Sequence, residues 1–175
     1  MISTPSSPKS VTTSRRSFLK TSAALGAAAA LPSFSMRAAA NKNSVVRMLH
    51  IGVGGIGGMQ RGQLKSHKKV EFAFLCDVDS NPLKNIGRQF PKAKQFTDYR
   101  EVFEKHLNEF DAVIVDTPDH HHAPMMTRAL AAGKHVYGQK PLVHQLDELR
   151  MIREVLAKRP ELYTQMGNQR ACGTG

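Results

Sequence analysis

The chain has 175 residues with 41% hydrophobic and 22% charged side chains, enough to bury a core and ordinary for a globular protein, which excludes disorder throughout. Its formal charge of +11 overstates the basic character of the body, because residues 1–40 hold five Lys or Arg and no acid, leaving +6 for the remainder. The cluster Lys65, His67, Lys68 and Lys69 reads as a solvated helix end or loop. With no accompanying nucleic-acid motif, the charge does not point to a nucleic-acid partner. Two cysteines, Cys76 and Cys172, make no disulfide framework.

The first segment is an address. Ser14-Arg15-Arg16-Ser17-Phe18-Leu19-Lys20 is followed by a small-residue apolar stretch, Thr21 to Ala30, and an Ala-rich zone ending at Ala40. A basic region with paired arginines, a modest apolar region and a small-residue end describe a twin-arginine signal peptide over 1–40, with the mature chain starting near Asn41 and exported to the periplasm. The apolar stretch is too short for a stable span of about 20 residues.

From residue 45 short apolar runs alternate with helical patterns. Val45–Gly52 is expected as a strand, followed by a glycine turn and a helix to about Ser66. Val70–Cys76 is the next strand, and Asn81-Pro82 opens a helix to about Phe90, with proline suited to the first turn. A short strand at Lys94–Phe96 precedes a helix over 99–106, and 111–116 is a buried strand. A helix over 124–132 is stopped by Gly133. His135–Tyr137 is a strand, and Leu146, Leu149, Ile152, Val155 and Leu156 mark one face of a long helix ended near Pro160. Leu162–Met166 is the last strand. Strands apolar on both faces and separated by helices predict an α/β fold, a doubly wound parallel sheet of Rossmann type.

The first strand runs into Gly52-Val53-Gly54-Gly55-Ile56-Gly57, which satisfies G-x-G-x-x-G. In that pattern one glycine permits the tight turn, one admits the backbone to a pyrophosphate, and one lets helix approach strand. The helix N-terminus supplies unpaired N–H groups and the positive end of the dipole. Alone the motif is weak. Its placement between strand and helix strengthens it, as does Asp77, twenty residues after Gly57, at the end of the next strand. A carboxylate there accepts from a ribose 2′-hydroxyl and repels a 2′-phosphate, and no arginine lies nearby in sequence, so NAD is favoured over NADP.

Thr117-Pro118-Asp119-His120-His121-His122 follows a strand, where such sheets place ligand contacts. Adjacent histidines point in divergent directions, so no metal site is expected. Gly133-Lys134-His135-Val136-Tyr137-Gly138-Gln139-Lys140-Pro141 places Lys140 at a strand end before a proline that fixes the backbone.

These motifs, in this order over about residues 45–170, resemble the Gfo/Idh/MocA family of NAD(P)-dependent oxidoreductases; Gly167-Asn168-Gln169 resembles a segment of exported members acting on sugars. The resemblance implies that Gly52, Gly54, Gly55, Ile56 and Gly57 cradle the pyrophosphate and that Asp77 holds the adenosine ribose. It implies that Thr117, Pro118 and His122 line the path to the nicotinamide, and that Lys140, before Pro141, sits beside nicotinamide and substrate as the catalytic lysine. Gln139 departs from the family's Glu-Lys-Pro, removing the ionised neighbour of Lys140. Members are about twice this long, with a second domain supplying the substrate pocket. The expectation is therefore a dinucleotide domain over 41–170, with 171–175 opening the linker to a missing domain. It would be the nucleotide-binding half of a hydride-transferring enzyme on sugar- or polyol-like substrates, inactive by itself and compatible with homo-oligomer formation. The alternative is a non-catalytic NAD-binding module completed by a separate chain.

Overall fold

A computed structural model describes residues 45–168. The signal segment 1–40, the start at Asn41, Gln169, the 171–175 linker and Cys172 lie outside the described residues. The chain order is β1 (Val46–Ile51), α1 (Gly55–Leu64), β2 (Val70–Cys76), α2 (Ser80–Gly87), β3 (Lys94–Phe96), α3 (Tyr99–Lys105), β4 (Ala112–Val115), α4 (His122–Ala131), β5 (His135–Gly138), α5 (Leu146–Ala157) and β6 (Thr164–Met166). Short 3-10 turns occupy Leu107–Glu109 and Asp119–His121.

All six strands pair in parallel, in the order β3-β2-β1-β4-β5-β6. The order reverses direction at β1 and β4, so the carboxyl ends of these two strands border the crevice of a doubly wound sheet. The α/β Rossmann architecture expected from the alternation of patterns is the one observed.

Alternation along the strands builds two cores. Leu49, Ile51, Val113 and Val115 point to one face and meet Val102 and Phe103 of α3, Met126 and Leu130 of α4 and Ile152 of α5. Met48, Ala112 and Ile114 point to the other, with Leu83 of α2 and Leu64 of α1. Neither face of the central strands β1, β2 and β4 is left to water along most of their length, which is why these read as near-continuous apolar runs. The alternation slips once in β2: Met48 pairs with Phe72 but Leu49 with Phe74, leaving Ala73 as the extra residue of a bulge.

Element ends follow local chemistry. Asp79 caps α2 by accepting from Asn81 N–H at 2.8 Å, and Asp98 caps α3 by accepting from Arg100 N–H at 2.9 Å. Glu148 Oε2 accepts from the backbone N–H groups of His144 and Gln145, both at 2.8 Å, closing the first turn of α5. Gly133 follows α4 at φ +76°, the left-handed conformation that ends helices. The basic stretch 65–69 is an exposed turn after α1, and Cys76 is buried with a free thiol.

Candidate functional site

β1 ends at Ile51 and the chain turns sharply through Gly52, at φ +85°. A Cβ at Gly52 would collide with the Asp116 carbonyl at the end of β4, and one at Gly57 would collide with the Gly52 carbonyl and lie 2.9 Å from His50 Nε2. Both glycines are thus demanded by backbone packing. Gly55 differs: at φ +48° it has nothing within 4 Å of its Cβ position, so it presents bare backbone to open space.

Helix α1 begins here without protection. Its N-cap, Gly54, offers no side chain, and its first turn holds no acid. The Gly55 and Ile56 N–H groups have no intramolecular acceptor among the described residues. Two exposed donors at the positive end of a helix, beside a backbone no Cβ obstructs, fit a diphosphate.

The turn is held from below and from the side. Arg61, 4% exposed, donates from Nη1 to Val53 O at 3.0 Å and Gly57 O at 3.4 Å. These bonds keep two carbonyls facing inward, away from the side where an anion would rest. Burial lowers the pKa of the Arg61 guanidinium, and the nearby Asp116 opposes that shift. Asp116 Oδ2 lies 2.9 Å from His50 Nε2, with both side chains wholly buried.

From the side, Asp77 at the end of β2 accepts from Val53 N–H at 2.9 Å and Gly54 N–H at 3.2 Å through Oδ2, and from Asp79 N–H at 3.0 Å through Oδ1. Arg100 lines the same cleft, and its guanidinium grips Asp98 through Nε (3.0 Å to each oxygen) and Nη2 (2.7 Å). Asp98, in turn, is held below the usual carboxylate range, chiefly by the Arg100 side chain and its backbone N–H.

A cleft of about 730 Å³ joins these parts. Of the residues expected from sequence, Gly52, Gly54, Gly55, Ile56, Asp77, Thr117 and Pro118 line it. Gly57 sits behind the turn as a packing glycine. His122 differs from expectation: its ring is wholly buried, with Nδ1 2.6 Å from Pro141 O and Nε2 2.7 Å from Thr117 O, so both nitrogens are taken by backbone and neither reaches the cleft. Lys140 and Pro141 line a neighbouring hollow of about 470 Å³ with Leu142, Val143, Leu149, Met166 and Asn168. Gln139 is buried, and its Oε1 accepts from Lys140 N–H at 2.8 Å, so the residue standing in for the family's acid fixes the backbone of the lysine.

Sequence reasoning missed Thr97, Asp98, Tyr99, Arg100 and His121 in the cleft lining. The available signal was position: residues 97–100 follow β3, at a strand's carboxyl end, where ligand contacts gather. No group of three metal-ligating side chains occurs among the described residues.

Residues 46–166 match the model of an oxidoreductase family with an NAD-binding Rossmann fold, Gfo/Idh/MocA. The chain belongs to the Gfo/Idh/MocA family. A nicotinamide dinucleotide is the cofactor class of that family. Residues 12–32 match the twin-arginine signal model, an address for export to the periplasm; no helix among the described residues is long and apolar enough to cross a membrane.

Among curated relatives, a glycosyl hydrolase family 109 protein of Shewanella pealeana is 34% identical over 161 residues, covering 77% of this chain and 35% of that protein. An α-N-acetylgalactosaminidase of Shewanella oneidensis is 32% identical over 118 residues, covering 62% and 25%. Among solved structures, myo-inositol 2-dehydrogenase of Lactobacillus plantarum superposes with a TM-score of 0.66 at 25% identity, covering 71% of this chain and 36% of that one. The chain thus spans about a quarter to a third of the length of the curated relatives it matches.

Proposed function

We propose that this Gfo/Idh/MocA chain holds NAD, in preference to NADP, as the nucleotide-binding half of a hydride transfer at a ring carbon of a sugar or cyclic polyol. The observation that carries the reading is the combination of the unprotected α1 N-terminus with the carboxylate of Asp77 beside it. Gly54, Gly55 and Ile56 would receive the diphosphate, and Gly52 and Gly57 let the turn close tightly enough to do so. Asp77 would accept from the adenosine ribose hydroxyls with the lone pairs its backbone bonds leave.

The preference for NAD is supported by charge. Asp77 and Asp98 line the ribose end, and Arg100, the cation on that wall, is already engaged by Asp98. A 2′-phosphate would meet carboxylates and find the guanidinium occupied. Thr117 and Pro118 would border the nicotinamide, with Lys140 beyond them as the group nearest the reacting carbon. When bound, the nicotinamide supplies the hydride chemistry; the chain's part is to orient it. The mature protein would begin near Asn41.

The substrate class rests on the relatives, whose names point to an inositol and to an N-acetylgalactosaminide. The names of the curated relatives favour a second reading, a glycosidase in which the dinucleotide is retained, and its mark would be release of a sugar leaving group without accumulation of NADH.

Fluorescence titration of the chain with NADH and NADPH tests the assignment. The proposal expects NADH to bind at least about tenfold more tightly, a difference of about 1.4 kcal/mol. Equal or tighter binding of NADPH would overturn the NAD assignment, and binding of neither would overturn the nucleotide reading.

A further inference from the structure

Both ring nitrogens of His122 approach backbone carbonyl oxygens, Nδ1 to Pro141 O at 2.6 Å and Nε2 to Thr117 O at 2.7 Å. A carbonyl only accepts, and a neutral imidazole carries a single N–H. In either neutral tautomer one nitrogen lone pair would face a carbonyl lone pair at hydrogen-bond distance. Flipping the ring gives no relief: it would put ring carbon against carbonyl oxygen, well inside the ~3.3 Å of a C–H···O contact. Two donors are needed, and only the doubly protonated ring has two.

We propose that His122 is a buried imidazolium that ties the loop after β4 to the loop after β5, and that through this bridge it positions the residues at the nicotinamide end of the cleft. The ring is wholly buried at the start of α4 and forms no ion pair with a carboxylate among the described residues. Its charge is met instead by two short charge-assisted bonds, which offset the cost of burying it. The charged and titratable groups on the segments it joins are Asp116, Asp119, His120 and His121 on one side and Lys140 and His144 on the other; Asp116 is committed to His50.

The consequence is mechanical. Thr117, whose carbonyl the ring holds, lines the cleft, and Pro141 directly follows Lys140. Gln139 fixes the Lys140 N–H from the other direction. The lysine is thereby framed between two side chain-to-backbone bonds. His122 is a positioning residue, acting through these loops without touching a ligand. The bridge and the charge stand without the NAD reading; the effect on the nicotinamide end rests on it.

The test has two parts, both on the full 175-residue chain. Nitrogen-15 spectra of the histidine rings at neutral pH should show His122 with both nitrogens protonated and two slowly exchanging ring N–H protons. A spectrum with one unprotonated nitrogen overturns the proposal. In the second part, NADH and AMP are titrated into the wild type, His122→Gln and His122→Leu. AMP probes the adenosine end alone, so both variants should weaken NADH on the order of tenfold and leave AMP within about twofold. Equal weakening of both nucleotides overturns the positioning role. Should the variants fail to fold, the wild-type ring spectrum still decides the charge. Should the wild type bind neither nucleotide, the NAD reading falls while the spectrum still tests the bridge.

Discussion

The carboxylate of Asp77 accepts the Val53 N–H at 2.9 Å across 24 residues of sequence, tying the end of β2 to the turn after β1. Through the same oxygen it also accepts from Gly54 N–H. Asp77 shapes that turn, and under the proposed function it has a second job, facing the ribose of the bound dinucleotide.

Two jobs make two readouts. Asp77→Ala should weaken NADH on the order of tenfold or more and also lower the melting temperature by a few degrees, since two partly buried amides lose their acceptor at a cost of about 1–2 kcal/mol. Asp77→Asn keeps an acceptor oxygen and should recover most of the thermal loss. Calorimetric melting alongside NADH titration separates the two effects; an unchanged melting temperature in Asp77→Ala would contradict the first job.

Cofactor choice should yield to the Asp98–Arg100 pair. Asp98→Ser keeps a capping oxygen for α3 while releasing the guanidinium, and Asp77→Ser removes the charge that repels a 2′-phosphate. The double variant should gain NADPH affinity by roughly tenfold, through a charge-assisted contact, and lose NADH affinity. Competitive titration checks this, and no gain for NADPH would mean that Arg100 does not reach the phosphate.

Two glycines of one helix should respond in opposite senses. Gly57→Ala drives a methyl against the Gly52 carbonyl and His50, so the turn must open, destabilising the fold by about 1–3 kcal/mol and impairing NADH binding. Gly62→Ala, with nothing within 4 Å of its Cβ position, should stabilise α1 by about 0.5–1 kcal/mol without affecting binding. Denaturant melts of the two variants provide the comparison.

The thiol of Cys76 should be inert in the folded protein. Burial, followed by the nearby Asp77, Asp98 and Glu101, pushes its pKa up to about 12, so below that pH the thiolate, the reactive form, is scarce. In a Cys172→Ser background, Ellman's reagent at pH 8 should label the chain only after denaturant is added. Rapid labelling of the native protein would contradict the buried position.

Much of this was legible in the sequence because it rests on local pattern. Val70–Cys76 and Lys94–Phe96 are strands at the expected residues, and the glycine motif lies between strand and helix as its spacing requires. Helix ends were less legible. Helix α4 starts at His122, ahead of the expected Pro124, because the Asp119–His121 turn feeds straight into it. Long-range pairings were invisible. His50 meets Asp116 across 66 residues, and His122 meets Pro141 across 19, with a backbone oxygen that carries no side-chain signature. Arg61 looks like a surface residue of an exposed helix, yet its head turns inward to carbonyls eight and four residues before it.

The most direct test of the account follows the backbone amides of the nitrogen-15-labelled chain as NADH is added. The account predicts the largest shift changes at Gly55 and Ile56, with smaller ones at Asp77 and Thr117. Largest changes in the hollow beside Lys140, with the α1 start unmoved, would contradict it.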